Sequence, residues 1–288
     1  MPIHSHILDN PRADRVRRLA DLTRAKGRER SGLFLIEGPQ SVREAVAWKP
    51  GMIRDLYVLA EEEDDSYVVA DPTLEAIVES SQSDGRDIYV HLASAEVMRR
   101  ISPDAQGIAA VGEASAMDVA PDDVTLGERP LVAAFWQVRD PGNAGTVIRA
   151  ADAAGCAAVV FVDACVDPLN PKVVRSTAGS LFHVPVLEMS VDGFLDWARD
   201  CGLAVVAADV HGADGLPPET LPGMLADPAA AKSPTAVLFG NEARGLEDGL
   251  LARMDRIVSI PMYGRAESLN LATSAAVMLM GMAMRREA

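Results

Sequence analysis

The chain is 288 residues long, 49% hydrophobic and 24% charged, the balance of a folded protein with a sizeable core, which excludes general disorder. Its 42 Asp and Glu against 27 Lys and Arg leave a formal charge of −15, so a generic polyanion binder is excluded and any nucleic-acid partner needs a local basic patch. No apolar run approaches the roughly 20 residues that span a bilayer, the first residues lack an apolar signal stretch, and the three cysteines Cys156, Cys165 and Cys201 lack metal-ligand spacing. A soluble protein of the reducing cytoplasm, with no membrane and no metal, is the expectation.

In chain order, Pro11 to Arg30 carries eight basic and three acidic side chains. Val16, Leu19, Ala20 and Thr23 mark the buried side of an amphipathic helix ending near Lys26. The segment's cations Arg15, Arg18, Lys26, Arg28 and Arg30 are either a solvated face or the footprint of an RNA. A strand at Leu33–Gly38, a helix over Pro39–Trp48, a strand at Met52–Leu59, a helix near Pro72–Ser81, a strand at Asp87–Leu92 and a short helix from Ser94 follow. Glu61–Asp65 reads as an exposed acidic loop. These elements make a small α/β domain over residues 1–115, and the Pro, Gly and acidic content of 116–130 reads as a linker. Residues 131–288 then show five short apolar runs, at Leu131–Val138, Ala157–Val166, Leu203–Val210, Thr235–Glu242 and Arg256–Met262, separated by helix-length segments. Continuous rather than alternating apolar character indicates strands buried on both faces, hence a parallel sheet with helices on each side.

Ligands of such sheets bind beyond the carboxyl ends of the strands, and three of the five runs lead there into loops rich in Gly, Asn and charge: Gln137–Gly155, Gly240–Asp248 and Ile260–Ala276. Glycine-rich turns expose backbone N–H groups to nucleotide-like ligands, although they equally serve tight turns and helix caps. Gly240 to Gly245 has the spacing of a phosphate loop but lacks the Lys and Ser/Thr that hold phosphates and Mg²⁺, which excludes an NTPase reading. No G-x-G-x-x-G follows a strand, and His183 and His211 lack partners at nucleophile or metal spacing.

Together the loops resemble a known family. Asn143-x₅-Arg149 in a D-P-x-N-x-G setting, FGNEARGL (Phe239–Leu246) and IPMYGRAESLN (Ile260–Asn270) are similar, in order, to the three signature motifs of the SpoU (TrmH) family of RNA ribose 2′-O-methyltransferases. NPKVVRSTAGSLFHVPV (Asn170–Val186) is also similar to that family. The N-terminal part, with its basic helix and FLIEGPQSVREA (Phe34–Ala45), resembles the ribosomal-protein-like RNA-binding domain that many members carry.

The resemblance implies a parallel α/β domain whose C-terminal segment threads a deep trefoil knot, an exception to the rule that chains avoid knots. It implies S-adenosyl-L-methionine held by Leu238, Phe239, Gly240, Asn241, Ile260, Met262 and Leu269, apolar side chains enclosing the adenine while neighbouring amides satisfy its ring nitrogens. Arg149, Asn143, Glu242, Ser268 and Asn270 fall on the catalytic positions; Ser268 and Asn270 also stand where an N-cap of the last helix would. An arginine is a poor base, so Arg149 is expected to grip the phosphate beside the target ribose, and Glu242 is a rival general base. Lys172 and Arg175 are candidate contacts to the RNA backbone or else solvated helix charges. The last helix, from Leu271 to Met284, is apolar on nearly every side, and the family forms homodimers through this region. The implied partners are RNA, most simply ribosomal RNA, and a second copy of the chain; the alternatives are a tRNA methyltransferase of this fold or a non-catalytic RNA-binding protein of ribosome assembly.

Overall fold

A computed structural model describes residues 6–63, 66–83, 85–86, 88–230, 233–241 and 243–287. Contacts divide the chain into two units: Met1–Asp118 with Asp167–His183, and Val119–Val166 with Val184–Ala288.

In the first unit, α1 (Asp14–Asp21) and α2 (Ala25–Ser31) precede β1 (Leu33–Glu37), α3 (Pro39–Trp48), β2 (Ile53–Leu59), β3 (Glu61–Glu63), β4 (Ser66–Val68), α4 (Pro72–Gln82), β5 (Tyr89–Ala93), α5 (Ala95–Ile101) and β6 (Ile108–Glu113). The basic segment is two helices rather than one. Leu22 turns into the core and the Thr23 hydroxyl donates to Ala20 O, closing α1 before Lys26 is reached. The acidic run expected as a loop pairs instead as a two-stranded antiparallel ladder, β3 with β4; Asp64 and Asp65 lie outside the described residues, as does Asp87 before β5. The sheet order is β1-β6-β2-β5, with β6 antiparallel to both neighbours and β2 parallel to β5. The strand β6 has no counterpart among the expected elements: its Ala-Ala-Val-Gly interior has weak strand preference and is settled by pairing on both edges. Val16 and Leu19 of α1 and Val97, Met98 and Ile101 of α5 share a core with Leu35, Tyr57 and Val111 of the sheet.

The helix α7 (Pro171–Ser176) falls inside the C-terminal stretch of the sequence yet packs in the first unit, beside β1. Arg175 pairs with Glu37, a carboxylate only 2% exposed that also accepts from the Ser102 hydroxyl at 2.6 Å. Gly179 has φ +104°, and a Cβ there would collide with the Glu44 side chain of α3, so only glycine lets the chain pass so close.

The second unit contains β7 (Leu131–Trp136), α6 (Pro141–Ala153), β8 (Ala158–Val162), β9 (Val186–Met189), α8 (Val191–Asp200), β10 (Ala204–Ala208), β11 (Glu219–Thr220), α9 (Leu221–Ala226), β12 (Thr235–Phe239), α10 (Asp248–Leu251), β13 (Arg256–Ser259) and α11 (Leu271–Glu287). Its seven strands lie in the order β11-β13-β10-β12-β7-β8-β9, every pair parallel. The five expected runs form the interior of this α/β sheet; the two edges, β9 and β11, are too short to announce themselves as strands. Phe161, Phe135 and Phe239 occupy one rung across β8, β7 and β12. Their rings stack at 5.1 Å (Phe135 and Phe239) and meet edge-on at 6.5 Å (Phe135 and Phe161), an arrangement that locks the register where the site begins. The stretch 119–126 is more than a tether, because Val119, Val124 and Leu126 pack against the second unit's core. Among the described residues no helix is long and apolar enough to cross a membrane, and no cluster of metal-binding side chains occurs.

Candidate active site

The carboxyl ends of β10, β12 and β13 open onto a cavity of about 740 Å³. Its walls come from the loops that follow: Asp209–His211, Phe239–Asn241 with Ala243–Gly245, Ile260 and Met262, and Glu267–Leu271. Parallel strands bring these loops together because each βαβ crossover returns the chain to the same edge of the sheet.

The loop after β12 is a closed turn. Asn241 and Gly245 exchange backbone hydrogen bonds at 3.2 and 2.9 Å. The Asn241 side chain accepts from Ala243 N at 3.0 Å and donates to Gln137 O at 2.8 Å, fastening the turn to the end of β7. Gln137 has φ +52°, and its own side chain accepts from Arg244 at 2.9 Å while the Arg244 guanidinium lies 5.9 Å over the Trp136 ring. A Cβ on Gly240 would stand 2.5 Å from the Gly245 carbonyl carbon and 2.7 Å from Leu246 N, so the tightness of the turn requires glycine.

At the other wall, Asn270 closes the start of α11. Its Oδ1 accepts from Ala272 N at 2.9 Å, which is an N-cap. Its Nδ2 donates to Asn143 Oδ1 at 3.0 Å, joining α11 to α6, whose own N-cap Asp140 accepts from Asn143 N at 2.8 Å. The capping and site readings of Asn270 are therefore compatible: one oxygen caps, one nitrogen reaches across.

The residues expected at the site are placed as follows. Phe239, Gly240, Asn241, Ile260, Met262, Ser268, Leu269 and Asn270 line the cavity. Leu238 does not; it is a fully buried core residue of β12, since alternate strand residues face opposite sides. Glu242 lies outside the described residues. Asn143 stands behind Asn270 rather than in the wall. Arg149 is exposed, does not line the cavity and has no hydrogen-bond or ion-pair partner among the described residues. It lies six positions after Asn143 on α6, which turns the two about 120° apart around the helix. Asp209, His211 and Arg244 also line the cavity: Arg244 stands in the loop after the fourth run, already expected at the site, whereas Asp209 and His211 come from the end of the third run and the turn after it, which had not been singled out.

The cations expected to meet RNA separate into two groups. Arg18, Lys26 and Lys172 are exposed, and Arg30 is exposed while paired with Asp21 at 2.6 Å. Arg28 is 6% exposed and held by Asp167 at 3.0 and 2.5 Å and by Leu22 O at 3.0 Å. Arg175 is engaged with Glu37 and Asp104, and Arg15 bonds the Tyr57 hydroxyl at 2.9 Å and Asp55 at 3.0 Å. Arg28 therefore does not present its guanidinium to an RNA; burial and its carboxylate partner make it part of the folded unit. Burial pushes the Cys165 thiol up to about 11 and the Cys156 thiol up to about 12, so neither supplies a thiolate at neutral pH.

A parallel sheet covered on both faces, with a Gly- and Asn-rich cavity at its carboxyl edge, defines an α/β protein of the class that binds nucleotide-like ligands. Residues 130–280 match the SpoU rRNA methylase family and residues 13–110 match the MRM3-like substrate binding domain. The chain belongs to the SpoU rRNA methylase family. It is 31% identical over 272 residues to the 23S rRNA (guanosine(2553)-2′-O)-methyltransferase RlmP of Bacillus subtilis, covering 94% of this chain and 97% of that protein. Among solved structures it is similar to the AdoMet-bound rRNA methyltransferase from Sinorhizobium meliloti, with TM-score 0.78, 28% identity and 98% of each chain covered. It is also similar to the SpoU methyltransferase AviRb from Streptomyces viridochromogenes in complex with AdoMet, with TM-score 0.76, 27% identity and 96% and 99% coverage.

Proposed function

We propose that this protein transfers a methyl group from S-adenosyl-L-methionine to a ribose 2′-hydroxyl of ribosomal RNA. The observation that carries the reading is the cavity itself: the segments resembling the second and third family motifs converge on it, and Asn143 of the first is bonded to its wall through Asn270. The cavity fits the cofactor. Its volume of about 740 Å³ lies within the roughly 300–1,000 Å³ of small-molecule sites, Phe239, Ile260, Met262 and Leu269 give it apolar walls for an adenine, and the Gly240 turn leaves backbone groups at its surface. When bound, the cofactor supplies an electrophilic methyl group on a sulfonium.

The chain's own residues position and activate the nucleophile. Asn270, held from behind by Asn143, fixes the wall between α11 and α6. Arg149 stays charged at any working pH and is a poor base; its guanidinium grips the phosphate adjoining the target ribose, aligns O2′ for in-line attack, and leaves a phosphate oxygen to receive the O2′ proton. Because Arg149 is exposed and off the cavity of its own chain, it serves the cavity of a second copy, and the functional unit is a homodimer. The exposed Val277 and Met284 of α11 supply apolar surface for that pairing. In the same reading the segment from β13 to α11 threads the deep trefoil knot of the family, and the protein works in the cytoplasm, where ribosomal RNA is made.

Incubation with methyl-labelled S-adenosylmethionine and either bulk rRNA or bulk tRNA, followed by digestion to nucleosides, tests the proposal. Label in a ribose-methylated nucleoside from rRNA, lost with Arg149→Ala, is the expected result. Label confined to tRNA or to a base overturns the substrate or the reaction; cofactor binding with no label in either RNA favours a non-catalytic binder.

A further inference from the structure

A second cavity, of about 510 Å³, lies wholly within the first unit, on the flank of α1 and α5. Five arginines line it: Arg17 and Arg18 of α1, Arg24 between the first two helices, Arg30 of α2 and Arg100 at the end of α5. The cleft follows from helix packing. Val16 and Leu19 of α1 and Val97, Met98 and Ile101 of α5 bury together in one core, which turns the polar flanks of both helices toward each other at the surface.

Two carboxylates stand among the five guanidiniums. Asp14 pairs with Arg17, and Asp21 takes Arg30 at 2.6 Å and Arg24 at 3.8 Å. Arg18 and Arg100 have no hydrogen-bond or ion-pair partner among the described residues. A cleft with three positive charges in excess stands out on a chain whose total is −15. Arginine forks match phosphate oxygens in pairs, and the volume accommodates a stretch of sugar–phosphate backbone rather than a single small anion.

We propose that this cleft holds the phosphodiester backbone of the RNA substrate, with Arg18 and Arg100 making the contacts and Arg17, Arg24 and Arg30 setting the surrounding field. The proposal rests on the rRNA reading above and deepens it. It moves the RNA footprint away from Arg15, Arg28 and Arg175, which are engaged inside the unit, and brings in Arg17, Arg24 and Arg100. An acidic protein thereby meets a polyanion through one focused patch, and phosphate contacts position the RNA without reading its sequence.

The test uses the full chain and in vitro transcribed 23S rRNA. Filter binding across about 50–300 mM KCl compares the wild type with Arg18→Ala/Arg100→Ala and with Arg18→Lys/Arg100→Lys, and calorimetric S-adenosylmethionine binding with a thermal melt confirms that each variant is folded. Loss of two phosphate contacts is expected to weaken affinity about tenfold or more and to reduce the slope of log K against log salt by about 2. The KM for rRNA is expected to rise with kcat unchanged, while the lysine pair retains most of the slope. A folded alanine pair with wild-type affinity and slope overturns the cleft, as does a wild type that fails to bind 23S rRNA. Methyl label in the rRNA with coincident slopes removes the cleft and leaves the enzyme reading; diverging slopes with no label in ribose support the cleft and remove the enzyme reading.

Discussion

Asn270 performs two tasks with one amide, and its variants separate them. Asn270→Asp retains the cap oxygen and is expected to melt close to wild type, but its carboxylate only accepts and loses the donation to Asn143. Asn270→Ala loses both and is expected to cost about 1 kcal/mol of stability, the usual worth of an N-cap. Methyl transfer is expected to fall in both, measured beside thermal melts. Gly240→Ala places a methyl 2.5 Å from the Gly245 backbone; the turn must open, and calorimetry is expected to show at least tenfold weaker cofactor binding. These residues were legible because they stand in Gly- and Asn-rich loops whose order and spacing resemble the family's motifs; composition alone left turn and cap roles equally open. The direction of Leu238 into the core was not, since a run buried on both faces carries no alternation to tell cavity from core. Asp209 and His211 were not legible either, because no local pattern records which loops meet across a sheet edge.

Among the elements, the first unit carries two sharp expectations, the first of them in the segment containing α7. Arg28 is buried while Asp167 is 42% exposed, so the two halves of the pair are unequal. Asp167→Ala leaves a buried guanidinium unpaired and is expected to cost about 2–3 kcal/mol in urea melts, below the roughly 3–5 kcal/mol of fully buried pairs because Asp167 is partly solvated. On the sheet of the same unit, burial alone would raise the Asp55 carboxyl, but the hydrogen bond from His91 and the Arg15 charge hold it below its ordinary 3.8. A carboxylate lowered by folding stabilises above its unfolded value, and that contribution is lost as pH falls through the folded one. The first unit is therefore expected to weaken as pH drops below about 4, and Asp55→Asn to be less stable at pH 7 but to show a flatter acid limb in denaturant melts at pH 6, 4 and 3. The long runs β7, β8, β10, β12 and β13 were readable from continuous Val, Ala and Phe. The strands β6, β9 and β11 were not, being alanine-rich or very short, and the packing of α7 in the first unit depends on Arg28, Glu37 and Glu44, which are remote in sequence.

For the whole molecule, the proposed reading makes assembly part of the chemistry, because Arg149 is exposed and does not line the cavity of its own chain. Sedimentation equilibrium is expected to give a dimer. Arg149→Ala and Asn270→Asp, each expected to transfer far less alone, are expected to regain about a quarter of wild-type transfer when unfolded together and refolded, since half the dimers are mixed and one of their two sites is whole. No recovery in a demonstrably mixed dimer would place the arginine in its own chain's site. The class of fold and the family were readable from the amino-acid sequence, because burial on both faces and the order of three polar loops are local properties that composition and spacing record. Packing settles which of those polar residues share a wall, which arginines are consumed by internal carboxylates, and that residues 167–183 join the N-terminal unit. Those outcomes depend on distances between residues far apart along the chain, and such distances exist only once the helices and strands have packed.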